Sequence, residues 1–181
     1  MKSKVIKLDL RFFVKSIILC LFLLYTLLII DFTLINDNFG RNISSNIFYA
    51  SKDTVNQYIS QKVNLIPFAT VKLFINAYRN SNLDTTFIMQ NILGNFFAFM
   101  PFAFFIPAIF KKINSSFRFF VVISLGVIII ELLQIVFLTG SADIDDFILN
   151  TTGAMVAYFV LNIKKVKRTI NKILFGENDE T

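Results

Sequence analysis

FRFFVVISLGVIIIELLQIVFLTGSADIDDFILNTTGAMVAYFVLNIKK, residues 117–165, decides the fold. It is apolar from Phe117 to Leu138, turns at TGSADIDD, and is apolar again from Phe147 to Ile163 before it ends on lysines. At 1.5 Å per residue, about 17–25 apolar residues suffice for a helix to cross the hydrocarbon of a bilayer. Two such runs around an acidic turn predict a helical hairpin in a membrane.

Two more runs lie upstream. Phe12 to Ile30 follows a basic N-terminal arm and lacks a small-x-small cleavage site, so an uncleaved first span is expected. Phe87 to Phe110 contains Pro101 and Pro107. Membrane helices tolerate such prolines where neighbours satisfy the freed carbonyls. The expected fold is an all-α membrane protein, a bundle of four transmembrane helices forming one membrane domain over 1–181. Composition agrees: 55% of residues are hydrophobic and 17% charged, against about 25% charged in soluble domains. Mean hydropathy is +0.66.

Charge orients the spans. The N-terminal arm, the turn holding Lys111, Lys112 and Arg118, and the tail from Lys164 to Lys172 carry 13 of the 18 bases. TGSADIDD has no base and three acids. The positive-inside rule then predicts a multi-pass membrane protein with both termini cytoplasmic. The net charge of +6 reflects this topology and gives no reason to expect nucleic acid as a partner. Segment 31–86 falls outside. Within it, VNLIPFATVKLFINAY (63–78) spaces apolar residues with Lys72 and Asn76 at helical intervals after a turn at Pro67. An amphipathic segment at the outer surface is expected. The tail 177–181 is expected to be disordered.

The chain has no histidine, which excludes His-based triads, proton shuttles and zinc sites. Its single cysteine, Cys20, excludes an intrachain disulfide and is expected to be a buried, inert thiol.

Polar side chains inside spans are costly and usually face a partner or a cavity. Asn91 and Asn95 share one face of the second span, and Gly94 beside them is expected to admit a close helix. Glu131 and Gln134 share one face of the third. Asp143, Asp146, Asn150 and Gly153 form a stripe on the fourth, while Asp145 points the other way and is expected in a solvated turn. Counting 1.5 Å per residue puts Asn95, Glu131 and Asn150 at one depth and Asn91, Gln134 and Asp146 at a shallower one. These positions predict a polar pocket open to the outer face, with Glu131 at its floor. The alternative is interhelical hydrogen bonding that only holds the bundle together. Glu131, Asp143 and Asp146 are candidates to hold a divalent cation through oxygen ligands. One of them can also serve as a general acid or base, or the three can attract a cationic group.

NLIPF at 64–68, NILGNFFAFMPFAF at 91–104, ELLQ at 131–134 and DIDDFILNTTGA at 143–154 resemble, in order and spacing, the VanZ-like family of membrane proteins. The chain departs from that pattern at three places. Ala103 stands where many members have Gly, Gly140–Ala142 lacks the Arg that often precedes the aspartates, and Ala157 replaces a second Gly. The resemblance implies a bacterial envelope protein associated with resistance to teicoplanin and related lipoglycopeptides. Its implied partners are membrane lipid and a lipid-linked cell-wall precursor or the lipoglycopeptide itself. Three rivals remain open at this point. One is a carboxylate-dependent enzyme acting on a lipid headgroup or lipid-linked phosphate, with Lys72 and Arg79 as external bases. The others are a small transporter or flippase working through Glu131, and a non-catalytic scaffold. The sequence fixes neither catalysis nor oligomeric state.

Overall fold

The computed structural model describes residues 2–35, 51–80 and 85–175. The expected disordered tail, 177–181, lies outside the described residues, as do parts of the outer segment. The described residues are helical almost throughout. The elements are α1 (Lys2–Ile30), a π-helical turn (Asp31–Ile35), α2 (Lys52–Lys62), β1 (Val63–Asn64), α3 (Ala69–Arg79), α4 (Thr85–Ala98) and α5 (Phe102–Ile109). There follow α6 (Ser116–Phe137), β2 (Ala142–Asp143), α7 (Ile144–Leu161) and α8 (Lys164–Phe175).

Four segments are long and apolar enough to cross a membrane: Phe12–Ile35, Thr85–Ile109, Ser116–Phe137 and Ile144–Leu161. The first runs further than expected through the π-helical turn. The fourth starts earlier because Asp143, with extended backbone, caps α7: its side chain accepts the Asp145 N–H. Many large apolar side chains of the spans are exposed, among them Leu24, Leu27 and Leu28. In a bilayer those surfaces face lipid tails, and helices associate through close packing and polar contacts instead. Cys20 belongs to that outward surface; it is exposed rather than buried, because α1 sits at the edge of the bundle.

The core joins all four spans through Ile29, Phe99, Phe102, Phe119, Val127 and Tyr158. Phe119 stacks on Tyr158 with ring centroids 4.6 Å apart. Pro101 breaks the second span into α4 and α5. Its missing N–H is replaced locally by tighter bonds, Met100 N–H to Phe97 C=O and Phe102 N–H to Phe99 C=O, both 3.2 Å. The carbonyl of Ala98 thereby loses its helical donor, and the Tyr25 hydroxyl of α1 supplies one at 2.7 Å. This is how a proline is accommodated at membrane depth.

Close approach occurs at Gly153, not at Gly94. A Cβ on Gly153 would lie 1.8 Å from the Phe96 carbonyl oxygen, whereas one on Gly94 would meet nothing within 4 Å. Gly153 lets α4 and α7 touch backbone to backbone. Residues 51–80 fold back onto the bundle. β1 pairs in parallel with β2, Val63 opposite Ala142 and Asn64 opposite Asp143. α2 was not legible in the amphipathic pattern; its Ser51 cap accepts the Thr54 N–H at 3.2 Å.

Candidate functional site

The polar residues converge where α7 begins. Asp143 caps α7 through Oδ1, which accepts the Asp145 N–H at 2.9 Å. The same oxygen accepts Asn64 Nδ2 at 3.2 Å, and the Thr70 hydroxyl donates to Oδ2. One buried carboxylate therefore gathers α7, β1 and α3. Asn64 also accepts the Ile66 N–H at 3.1 Å. That local turn, continued by Pro67 and by Phe68 in the left-handed region at φ 62°, aims the chain back at the bundle.

Asp145 is the correction of most consequence. It is not in a solvated turn but 2% exposed. Its Oδ1 accepts the Phe68 N–H at 2.5 Å and its Oδ2 the Val71 N–H at 3.0 Å. α3 lies against Asp145 as it does against Asp143, and its first-turn amides would otherwise lack partners. A carboxylate there satisfies those donors and meets the positive end of the helix dipole.

Asp146 joins spans two and four, because Asn95 Nδ2 donates to its Oδ1. Glu131 joins the end of span three to the same turn, its Oε2 accepting the Asp143 N–H at 3.1 Å. The structure thus brings together Asn95, Glu131, Asp143 and Asp146. The two expected depths do not describe these contacts. Asn95 meets Asp146 and Glu131 meets the Asp143 backbone, and α7 starts at Ile144, earlier than expected.

Gln134 bonds elsewhere. Its Nε2 donates to the Thr33 carbonyl in the π-helical turn at 3.1 Å. Asn150 donates to the Asp146 carbonyl of its own helix at 2.8 Å. The amide oxygens of both residues, Gln134 Oε1 and Asn150 Oδ1, are buried without a hydrogen-bond partner among the described residues. Asn91 donates to Phe87 C=O in its own helix at 2.8 Å, and this bond ties it to no other span.

Tyr58, in α2, is a residue the sequence reading missed. Its hydroxyl lies 2.9 Å from Gly140 C=O and 3.0 Å from Thr139 C=O, carbonyls beyond the C-terminus of α6. Nothing in the local pattern of α2 signals this. Asn64 and Thr70 were also not singled out, although Asn64 opens the NLIPF motif.

Among the described residues, no three acidic or cysteine side chains gather to hold a metal ion. Asp143 and Asp145 act as acceptors for backbone and side-chain donors. Chemically the assembly is a buried, acceptor-rich web at one end of the bundle, and two of its amide oxygens have no donor among the described residues.

No curated protein and no solved structure gives a match. The VanZ/LLP1 family model matches residues 22–165, a range that holds every residue of the polar web and all four spans except the start of the first; the chain belongs to the VanZ/LLP1 family.

Proposed function

We propose that this protein lowers susceptibility to teicoplanin and related lipoglycopeptides. On this reading it sits in the bacterial plasma membrane with both termini cytoplasmic. The polar end of its bundle faces outward and engages outer-leaflet lipid or a lipid-linked cell-wall precursor. The observation that carries this reading is the set of buried polar atoms without a hydrogen-bond partner among the described residues: the amide oxygens Gln134 Oε1 and Asn150 Oδ1, on the spans that also carry Glu131 and Asp146, together with the hydroxyls of Ser124, Thr139 and Thr151. An unsatisfied buried acceptor costs about 1–3 kcal/mol. Such acceptors suit a ligand rich in donors, with hydroxyl or amine groups, as sugars and amine headgroups are.

The orientation has its own support. Lys15, Lys111 and Lys167 line one cavity, so the three basic segments meet at one end of the bundle. The acidic turn and its web lie at the start of α7, away from Lys167 beyond its C-terminus. The positive-inside rule assigns the basic end to the cytoplasm. The apolar residues α3 leaves exposed, Leu73 and Ile75, with Leu65 and Ile66 before them, suit contact with the outer membrane interface.

Susceptibility in a sensitive Gram-positive host tests the reading. Wild type and Glu131→Gln are compared against teicoplanin and vancomycin at equal membrane levels. Glutamine keeps one acceptor oxygen for the Asp143 N–H, removes the charge and puts an amide NH2 in place of the second oxygen. Wild type is expected to protect against teicoplanin and Glu131→Gln to lose that protection. Equal protection by both would make the carboxylate purely structural.

A further inference from the structure

The basic end of the molecule holds a cavity of ≈ 380 Å³ whose rim and walls include Lys15 of α1, Lys111 of the turn between spans two and three, and Lys167 of α8. Asn114 and Asn162 add polar side chains. Among the described residues no carboxylate lines it. Three lysines drawn into one concavity repel one another, and an anion held among them relieves that repulsion.

The rest of the lining is apolar, including Pro107, Tyr158 and Leu174. In α8, Lys167, Ile170 and Leu174 fall on one helical stripe, so the lysine head stands above an apolar wall. A second cavity of ≈ 260 Å³ adjoins the first: Lys15, Ile18 and Ala108 line both. Its other residues include Phe12, Leu19 and Ile109, on the lipid-facing seam of α1 and α5.

A cationic chamber opening onto an apolar groove has two demands, a phosphate-type anion and a hydrocarbon tail. We infer that the basic end binds an anionic phospholipid, its phosphate among Lys15, Lys111 and Lys167 and an acyl chain in the groove between α1 and α5. Free phosphate would leave the groove unfilled. A zwitterionic lipid would bring its own cation to three lysines. The site pins α1 and α8 against the bundle at the end opposite the polar web, and it does not depend on what that web binds.

The full chain, purified and delipidated in detergent, is titrated with phosphatidylglycerol or phosphatidylcholine and bound lipid is counted by native mass spectrometry. Each base near anionic lipid contributes about 1 kcal/mol, or roughly fivefold in affinity. Lys15→Gln, Lys111→Gln and Lys167→Gln together are expected to weaken phosphatidylglycerol roughly hundredfold. Lys52→Gln, Lys62→Gln and Lys72→Gln, at the other end, should leave it unchanged. Ala108→Phe, which fills the shared wall, should also lower lipid binding with all three lysines kept. Should the triple variant fail to elute as a single species, Lys111→Gln alone is read for its fivefold loss. Equal retention of phosphatidylcholine, undiminished phosphatidylglycerol binding by the lysine variants, or displacement of the lipid by equimolar inorganic phosphate would overturn the proposal.

Discussion

Gly153→Ala should separate the second and fourth spans. The added Cβ would stand 1.8 Å from Phe96 O and 2.8 Å from Phe96 C. Carbon atoms rest about 3.5–4.0 Å from their neighbours, so the two backbones must part by about 1.5 Å or more. Phe96 presents backbone there, and no rotamer change can relieve the clash. Overpacking costs about 1–3 kcal/mol, and a backbone collision belongs at the upper end. Alanine's helix propensity returns about 1 kcal/mol over glycine. The net loss is about 2 kcal/mol, which for a chain of this length lowers Tm by roughly 4–8 °C. Gly94→Ala is the matched control. Nothing lies within 4 Å of its Cβ, so propensity alone acts and Tm should rise by roughly 2–4 °C. Thermal melting of the purified protein in detergent measures both. Protection against teicoplanin should fall in Gly153→Ala, because Asn95, which bonds Asp146, immediately precedes Phe96. The reasoning fails if Gly153→Ala melts at or above wild type, or if Gly94→Ala loses as much as Gly153→Ala.

Asp145→Asn leaves one acceptor oxygen for two backbone donors and turns an amide N–H toward one of them. At about 1.5–3 kcal/mol for a charge-assisted bond, hydrogen exchange across 66–79 should accelerate by at least tenfold; unchanged exchange would show that β1 and Asp143 hold α3 unaided. Tyr58→Phe removes the hydroxyl near Thr139 and Gly140 and should cost about 1 kcal/mol, seen as a Tm fall of roughly 2–4 °C. In a Cys20→Ser background, Ser141→Cys should react with a membrane-impermeant maleimide on intact cells and Lys112→Cys only after permeabilisation; the opposite pattern would invert the orientation.

The four spans were legible because the bilayer imposes a length and an apolar content that a single chain displays directly. Boundaries moved only where local chemistry intervened, as at Asp143 and at the π-helical turn. The site was legible in part. Periodicity separated Asp145, which meets α3, from Asp146, which meets Asn95 of the second span. It could not show that the other face meets α3, because that contact joins residues 77 positions apart. Gly94 was misjudged for the same kind of reason: a small residue permits a close neighbour, but only the partner helix decides whether one comes. Tyr58 left no local trace, since its acceptors are carbonyls of a distant turn. The NLIPF motif was visible, and its purpose became clear only once Asn64 was placed beside Asp143.

The web also decides which substitutions can report on function. Asp143 and Asp145 hold α3 and the turn in place, so their loss would confound binding with folding. Asn150 does not have this difficulty. Its Nδ2 bonds only to its own helix, at Asp146 C=O, which also lies within helical hydrogen-bonding range. Its Oδ1 is buried without a described donor. Asn150→Leu keeps the branched shape and the number of heavy atoms, removes the unsatisfied acceptor and should be neutral or stabilising by up to about 1 kcal/mol. If that oxygen exists to receive a ligand's donor, the same variant should lose protection against teicoplanin while melting no lower than wild type. Stability sacrificed at a binding site is the expected pattern when activity and fold compete for one residue. A variant that melts higher and still protects would mean that Asn150 is only an imperfect joint in the bundle, and the donor-rich ligand would have to be sought at Gln134 instead.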